Sequence, residues 1–402
     1  MKQLIKRPLL RMLSLMGRKI GSRFDKNIQK NRINNILVFC DGGIGDILRI
    51  FPVIKTLIAE FPSAIFYILT NSTGAGLFEL YPSHSFKLIM FDVRRVHRSF
   101  IAKIKLLRFL KNTLSLDLVY NPHYGQGMTE HAFMSYLTGA PFRIGFNWEG
   151  TGFLYTNKAE FDQCKPILQQ NISLLSAIGI DSVPNCTISV RIPSEDLTFA
   201  RNFLRKHNAH GHTIIAIHPF ADWESRLRSW PLEHYASLVR EICKHFAVKV
   251  LILGTKRERI MNEHIFQGID GSSLISTLEE TSIAQMAALL SYSHVFIGND
   301  SGPLHLALAL NVPSIALFGA TSPQQVIGTE SDNCATITKK LPCSPCYLHQ
   351  PFFRPRCKNV ECLSSITVSE VLDVVAKKLS FILRNESILP SKNLSSTGIQ
   401  AS

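Results

Sequence analysis

Short apolar runs alternate with longer stretches whose apolar residues recur every three or four positions, and this alternation organises most of the chain. In the first half, Ile33–Cys40 reads as a buried strand, Asp41–Gly45 as a turn and Asp46–Glu60 as a helix. Ala64–Thr70, Phe86–Phe91 and Leu116–Tyr120 follow as strands, with a helix over Ser99–Asn112. The stretch 180–212 is richer in Pro, Asn and Ser and holds one helical piece, Ser194–Lys206. The alternation then restarts. Thr213–His218, Val248–Leu253, His294–Ile297 and Ser314–Phe318 are predicted strands, Pro231–Phe246 and Ser282–Ser291 helices, and Thr367–Glu370 a capping box opening a helix to about Leu383. Strands alternating with helices imply parallel sheets covered on both faces, so the expected fold is α/β, with two Rossmann-like domains facing across a cleft. The expected divisions are an arm at 1–32, a domain at 33–180, a linker at 181–211, a second domain at 212–342, a Cys-rich loop and C-terminal helix at 343–384, and a disordered tail at 385–402.

At 402 residues, with 46% hydrophobic and 18% charged side chains, the chain suffices for two cored domains. The net charge of +14 is unevenly placed. The first thirty-five residues hold ten basic side chains and one acid, Asp25. Leu4, Ile5, Leu9, Met12, Leu13, Met16 and Ile20 recur there at helical spacing, with Lys6, Arg7, Arg11 and Arg18 largely on the other side. That pattern suits a helix lying on an anionic membrane surface, although a solvated basic extension would read the same way. Basic residues interrupt the apolar run and no small-residue cleavage site follows, which argues against a signal peptide, and no stretch is long enough to predict a transmembrane helix. No basic, aromatic-interleaved patch recurs in the body of the chain, so a nucleic-acid partner is not expected. Cys40 and Cys243 lie in apolar or helical runs as buried thiols would, and the expected location is cytoplasmic, peripheral to a membrane.

Gly298–Ala307, GNDSGPLHLA, is a strand running into a helix whose first turn holds Asp300, Ser301, Gly302 and His305. Ser301 suits the N-cap, Gly302 allows close approach to the backbone, and Pro303 suits a first turn because its missing N–H has no intrahelical partner there. Such a helix start presents free N–H groups and a positive dipole end to an anion, and His305 adds a donor for a phosphate. An ordinary N-cap with a packed histidine is the alternative. The earlier turn, DGGIGD, lacks the third small residue of a dinucleotide fingerprint but brings the carboxylate of Asp46 to a helix start after the first strand, where it acts on a ligand or simply caps the helix. Arg226 and Arg228, between His218-Pro-Phe220 and Trp230-Pro231, are placed to clamp a diphosphate if they are more than exposed loop residues. Glu258, ending another strand region, has the chemistry to accept ribose hydroxyls.

Taken together, GGIGDILRIFPVI, SWPLEHY and NDSGPLHLALALNVPSIALFG resemble glycosyltransferase family 9, the ADP-heptose:lipopolysaccharide heptosyltransferases, from about Ile33 to Leu383. The resemblance implies a GT-B fold and inverting transfer of heptose from ADP-heptose to a glycolipid of the lipopolysaccharide inner core, with no cofactor required for catalysis. The first domain would be the acceptor side and the second the donor side. Asp46 corresponds to the general base, Arg228 (or else Arg226) to the cation before Trp-Pro, often lysine, Asp300, Ser301, Gly302 and His305 to the donor-phosphate site, and Glu258 to the ribose-binding acid. Acceptor choice would be set by loops around Asn71–Gly76 and Asn121–Gly127.

Cys343, Cys346, Cys357 and Cys362 form C-x2-C-x10-C-x4-C, a set of four thiols able to hold one structural zinc or iron or else to stay unliganded. Some relatives that heptosylate proteins carry a similar cysteine-bound metal. Competing functional readings are a transferase of the same build with another nucleotide sugar or a protein acceptor, a hydrolysing 2-epimerase, which would need a further acid pair in the cleft, and a noncatalytic nucleotide-sugar-binding protein, which would have no need of Asp46.

Overall fold

The computed structural model describes residues 28–384 apart from 84, 93–98, 125–126, 149, 163, 182, 184–186, 221–225, 257, 259–264, 270, 278–280, 329–332, 347–356 and 358. The predicted membrane-binding arm therefore lies almost wholly outside the described residues, as does the tail beyond Arg384.

Two six-stranded sheets form the frame. The first contains β1 (Asn35–Cys40), β2 (Ile65–Thr70), β3 (Phe86–Met90), β4 (Leu118–Asn121), β5 (Phe142–Asn147) and β6 (Asn157–Glu160), in the order β3-β2-β1-β4-β5-β6. The second contains β7 (Thr213–His218), β8 (Val248–Ile252), β9 (Leu274–Ser276), β10 (Val295–Asn299), β11 (Ser314–Phe318) and β12 (Cys334–Thr338), in the order β12-β11-β10-β7-β8-β9. Every pairing is parallel, from Asn35 opposite Ile65 to Ser314 opposite Cys334. The two orders are the same when each sheet is counted from its own first strand. In each, the chain reverses direction across the sheet between two central strands, β1 and β4 or β7 and β10, and such switch points are where open parallel sheets bind ligands.

The central strands carry almost unbroken apolar runs because both their faces are covered: β10 and β11 are buried along their whole length. Helices α1 (Ile44–Leu48), α2 (Phe51–Glu60), α3 (Ser72–Phe78), α4 (Phe100–Thr113), α5 (Met128–Leu137) and α6 (Ile167–Ser176) belong to the first half. Helix α7 (Ser194–Lys206) leads into the second, which holds α8 (Leu232–His245), α9 (Ile283–Ser291), α10 (Gly302–Ala309), α11 (Pro323–Val326), α12 (Glu361–Ser364) and α13 (Val368–Arg384). The expected single helix at Asp46–Glu60 is two, broken at Arg49 and Ile50, with Pro52 in the first turn of the second. Asn71–Gly76, expected as a loop, mostly forms the start of α3, because the Asn71 side chain accepts the Gly74 N–H at 2.8 Å and caps it. The capping box opening α13 is present, with Thr367 N donating to Glu370 Oε2 at 2.8 Å and Glu370 N to Thr367 Oγ1 at 3.3 Å.

The halves meet where α1 packs on α10. A Cβ on Gly45 would lie 2.3 Å from His305 Cδ2, and one on Gly302 would lie 2.8 Å from Ile44 Cδ1. Glycine at these two positions is what allows the two helix starts to approach this closely.

Candidate functional site

Four strand ends at the two switch points deliver the polar residues of one cleft. After β1 come Asp41 and Asp46, after β4 His123 and Tyr124, at the end of β7 His218, and after β10 Asp300 and Ser301. They line a cavity of about 880 Å³, a size suited to a nucleotide-sized ligand. Asp46, Arg228, Glu258, Asp300, Ser301, Gly302 and His305 all line it, so residues 259 positions apart in sequence share one site. Arg226 starts the short 3-10 turn that ends at Arg228, but its side chain is outside the described set.

Asp46 sits in the first turn of α1 with its side chain half exposed to the cleft. Its Oδ2 accepts the Gly43 N–H at 3.2 Å, while Oδ1 accepts from Arg49 Nη1 and from the Tyr124 hydroxyl, both at 3.2 Å. Arg49 is 5% exposed and reaches in two directions, since its Nη2 also donates to His305 Nε2 at 2.9 Å. A single guanidinium thus joins the carboxylate of the first half to the DSGPLH turn of the second.

On that second side, burial alone would raise the Asp300 carboxyl, but His305 and Arg228 outweigh it and hold the group well below the usual carboxylate range. Arg228 Nη1 stands 3.7 Å from Asp300 Oδ2 and His305 Nε2 stands 3.6 Å from Oδ1. Asp300 is therefore an ionised, buried anchor for two cleft-facing groups. Burial and the Arg49 charge push His305 down despite the opposing pull of Asp300. Ser301 occupies the N-cap of α10 with extended backbone, yet its hydroxyl makes no capping bond and lies 3.2 Å from His218 Nδ1 instead. His218 is pushed down to about 4 by burial, against the opposing pull of Glu258, whose Oε1 is 4.0 Å from Nε2. Glu258 Oε2 accepts from the Thr255 backbone N–H at 2.6 Å and from its hydroxyl at 2.8 Å, which fixes the carboxylate at the cavity wall.

Several residues that the sequence motifs did not single out build the site. Asn299, fully buried, donates to Pro219 O at 3.1 Å and accepts the Trp230 N–H at 2.9 Å, so it ties together the two ends of the connection that carries Arg228. Asp41, His123 and His131 form a buried cluster in the first half: His123 Nε2 is 2.7 Å from Asp41 Oδ1 and His131 Nε2 is 2.9 Å from Oδ2. Burial opposes ionisation of Asp41, but the two imidazoles hold it well below its ordinary value. Burial and the His131 charge push His123 down, while Asp41 and the Gly127 carbonyl raise His131 against its burial. Position immediately after β1 was the one available signal for Asp41. The two histidines are spaced eight residues apart across a loop and a helix, and no local pattern marks them.

Cys343 and Cys346 precede residues 347–356, which lie outside the described residues, and Cys357 and Cys362 follow them. Cys362 is buried against Gly319, and the thiols of Cys346 and Cys362 are pushed up by burial and by the neighbouring cysteines. Among the described residues, the one group of three or more potential ligands whose atoms converge within 4.8 Å is Asp41, His123 and His131.

Two parallel sheets of identical order, meeting at their switch points around a polar cavity with a helix start on one wall and a carboxylate on the other, define a two-domain α/β protein of the GT-B class. Comparison with known proteins narrows that class. Residues 112–354 match the family described as "Glycosyltransferase family 9 (heptosyltransferase)". The chain belongs to that family and is a glycosyltransferase. It is 25% identical over 288 residues to the "Lipopolysaccharide heptosyltransferase 3" of Escherichia coli, covering 69% of this chain and 81% of that one. The structure of E. coli ADP-heptose lps heptosyltransferase II is similar with a TM-score of 0.66 at 20% identity, covering 88% of this chain and 99% of the other. The iron-containing dodecameric glycosyltransferase TibC from enterotoxigenic E. coli H10407 is similar with a TM-score of 0.53 at 15% identity, covering 87% of this chain and 77% of the other. At these identities the two solved structures speak to the fold.

Proposed function

We propose that the protein transfers heptose from ADP-heptose to a lipopolysaccharide inner-core acceptor, with inversion at the anomeric carbon and Asp46 as general base. The observation that carries this reading is the convergence of Asp46 from the first half with Arg228, Asp300, Ser301, Gly302 and His305 from the second around one cavity. The acceptor hydroxyl attacks the anomeric carbon from the face opposite ADP, and Asp46 takes its proton as the new bond forms. Arg49, Tyr124 and the Gly43 N–H hold the carboxylate in place, and its half-exposed side chain leaves room for the acceptor. Negative charge building on the departing diphosphate is met by the α10 N-terminus, by Arg228 and by the Arg49–His305 pair. Glu258 accepts the donor ribose hydroxyls. Arginine at 228 keeps the charge of the more usual lysine with a longer, forked reach.

The basic arm at 1–32 would bring the enzyme to the anionic inner-membrane surface where its glycolipid acceptor resides. Among the described residues no helix is long and apolar enough to cross a membrane. Cys343, Cys346, Cys357 and Cys362 supply the kind of donor set that a structural zinc or iron takes. Bound there, the ion would cross-link the segments on either side of residues 347–356 and take no part in transfer.

A donor screen scored by ADP or other nucleotide release, with and without inner-core acceptor, tests the reading. Acceptor-dependent release from ADP-heptose and little from other nucleotide sugars supports it, and acceptor-dependent release from another donor alone overturns the assignment of the sugar.

A further inference from the structure

The Asp41, His123 and His131 cluster has an arrangement of lone pairs that a protein alone leaves unresolved. His131 Nδ1 lies 3.0 Å from the Gly127 carbonyl, which only accepts, so that nitrogen carries a hydrogen. His123 Nδ1 lies 3.1 Å from Asn121 Oδ1, and the amide cannot be reversed, because the same oxygen accepts the His123 backbone N–H at 3.1 Å while Nδ2 donates to Ser135 Oγ at 3.0 Å and to Tyr155 Oη at 2.9 Å. His123 Nδ1 therefore carries a hydrogen too. In both neutral rings the free lone pair is then on Nε2, and both Nε2 atoms face the Asp41 carboxylate at 2.7 and 2.9 Å. A proton on each ring would resolve the clash, but the rings are stacked with centroids 3.7 Å apart and planes within 10°, and two imidazolium ions face to face in a buried site repel strongly. Asp41 is 7% exposed, so its carboxylate is shut away from bulk water.

We propose that Asp41, His123 and His131 bind a first-row transition dication of the zinc class. Two imidazole nitrogens and one carboxylate oxygen form a donor set that such ions accept, with bonds of about 2.0–2.2 Å. The three ligand atoms lie within 4.8 Å of one another, a span one ion bridges. The hydrogen bonds from the two Nδ1 atoms to Gly127 O and Asn121 Oδ1 are the outer-shell contacts that fix a metal-binding tautomer. All three residues line the cavity, so a fourth position opens to the cleft. The ion pins the β4–α5 loop to the end of β1, and Tyr124, next to His123, is the residue of that loop that bonds Asp46. Metal uptake itself does not depend on the identity of the sugar transferred.

The test is cobalt titration of the full chain after chelator treatment. Thiolate-bound cobalt at the four cysteines gives an intense sulfur-to-metal band in the near ultraviolet, whereas a two-histidine, one-carboxylate site gives weak visible absorption without it. The expected result is an equivalent of cobalt of the second kind, displaced by zinc. It should bind about 100-fold or more weakly in His123→Gln and in Asp41→Asn, with the melting temperature and ADP binding of each variant reporting that it is folded. A wild-type protein that takes up cobalt only with the sulfur band, or none at all, overturns the proposal whatever the variants do, and so do folded variants that bind the equivalent as wild type does.

Discussion

Gly45→Ala is the smallest perturbation that reaches the contact between the two halves. The added methyl would lie 2.3 Å from His305 Cδ2 and 2.9 Å from both Cγ and Nε2. Restoring an ordinary contact of 3.4 Å requires a shift of about 1.1 Å. The ring has little room to give, because it is 8% exposed and its Nε2 is held by Arg49 at 2.9 Å. Forcing a methyl into a packed contact costs about 1–3 kcal/mol. The strain is relieved most readily by drawing α1 away from α10, which separates Asp46 from the donor-side groups. If transfer requires the joined arrangement, that cost appears as a fall of about 5- to 150-fold in kcat/KM. The assay is acceptor-dependent nucleotide release, with Gly43→Ala as control, since a methyl there lies 3.7 Å from Asp46 Oδ2, an ordinary contact. In a His305→Ala background the further loss from Gly45→Ala should shrink to nearly nothing, because the obstacle is gone. Wild-type kcat/KM in Gly45→Ala, or an undiminished loss in the His305→Ala background, would refute the reasoning.

Asn299→Ala leaves the Trp230 N–H and the Pro219 carbonyl without their partner in a fully buried site, at about 1–3 kcal/mol for each unsatisfied group, and thermal unfolding should show a clear loss of stability. An unchanged melting temperature would contradict the clamp. His218 is held near 4 against 6.5 when unfolded, so between these values the unfolded chain binds more protons, and stability should decline as pH falls from about 6.5 towards 4, at up to about 1.4 kcal/mol per pH unit. His218→Gln should flatten that part of the profile relative to wild type, and an identical slope would count against it. Arg49→Lys keeps the charge but loses the two-way reach to Asp46 and His305, and should lower kcat about tenfold or more with donor affinity little changed. A rise in donor Kd with unaltered kcat would place Arg49 in binding alone.

The fold was legible where strands are apolar and central. Thr213–His218 and Ser314–Phe318 appear with the bounds that the pattern gives, and so does the helix Ser194–Lys206. Edge strand β3 was legible, but β5, β6, β9 and β12, at or near the other edges, were not, because such strands need less apolar surface. β6 reads Asn-Lys-Ala-Glu, β9 spans three residues, and β5 places Arg143 and Gly145 within a short run. The break at Arg49 was carried only by Pro52, which marks a helix start as readily as an interior kink. In the site, contiguous motifs announced Asp46 and the DSGPLH turn because a strand-to-helix turn is a local device. Their partners are set by topology. Arg49 meets His305 across 256 positions, and Asp41 meets His131 across 90, distances over which sequence spacing carries no geometric information.

The proposed general base is tested by Asp46→Ala, with single-turnover transfer and donor affinity measured on the same preparation. Asp46 is exposed at the cleft and faces the donor-side residues without being one of them, so the account predicts transfer slowed by about 10²–10⁴-fold with the Kd for ADP-heptose nearly unchanged. Transfer at close to the wild-type rate in a variant that binds ADP-heptose normally would contradict it.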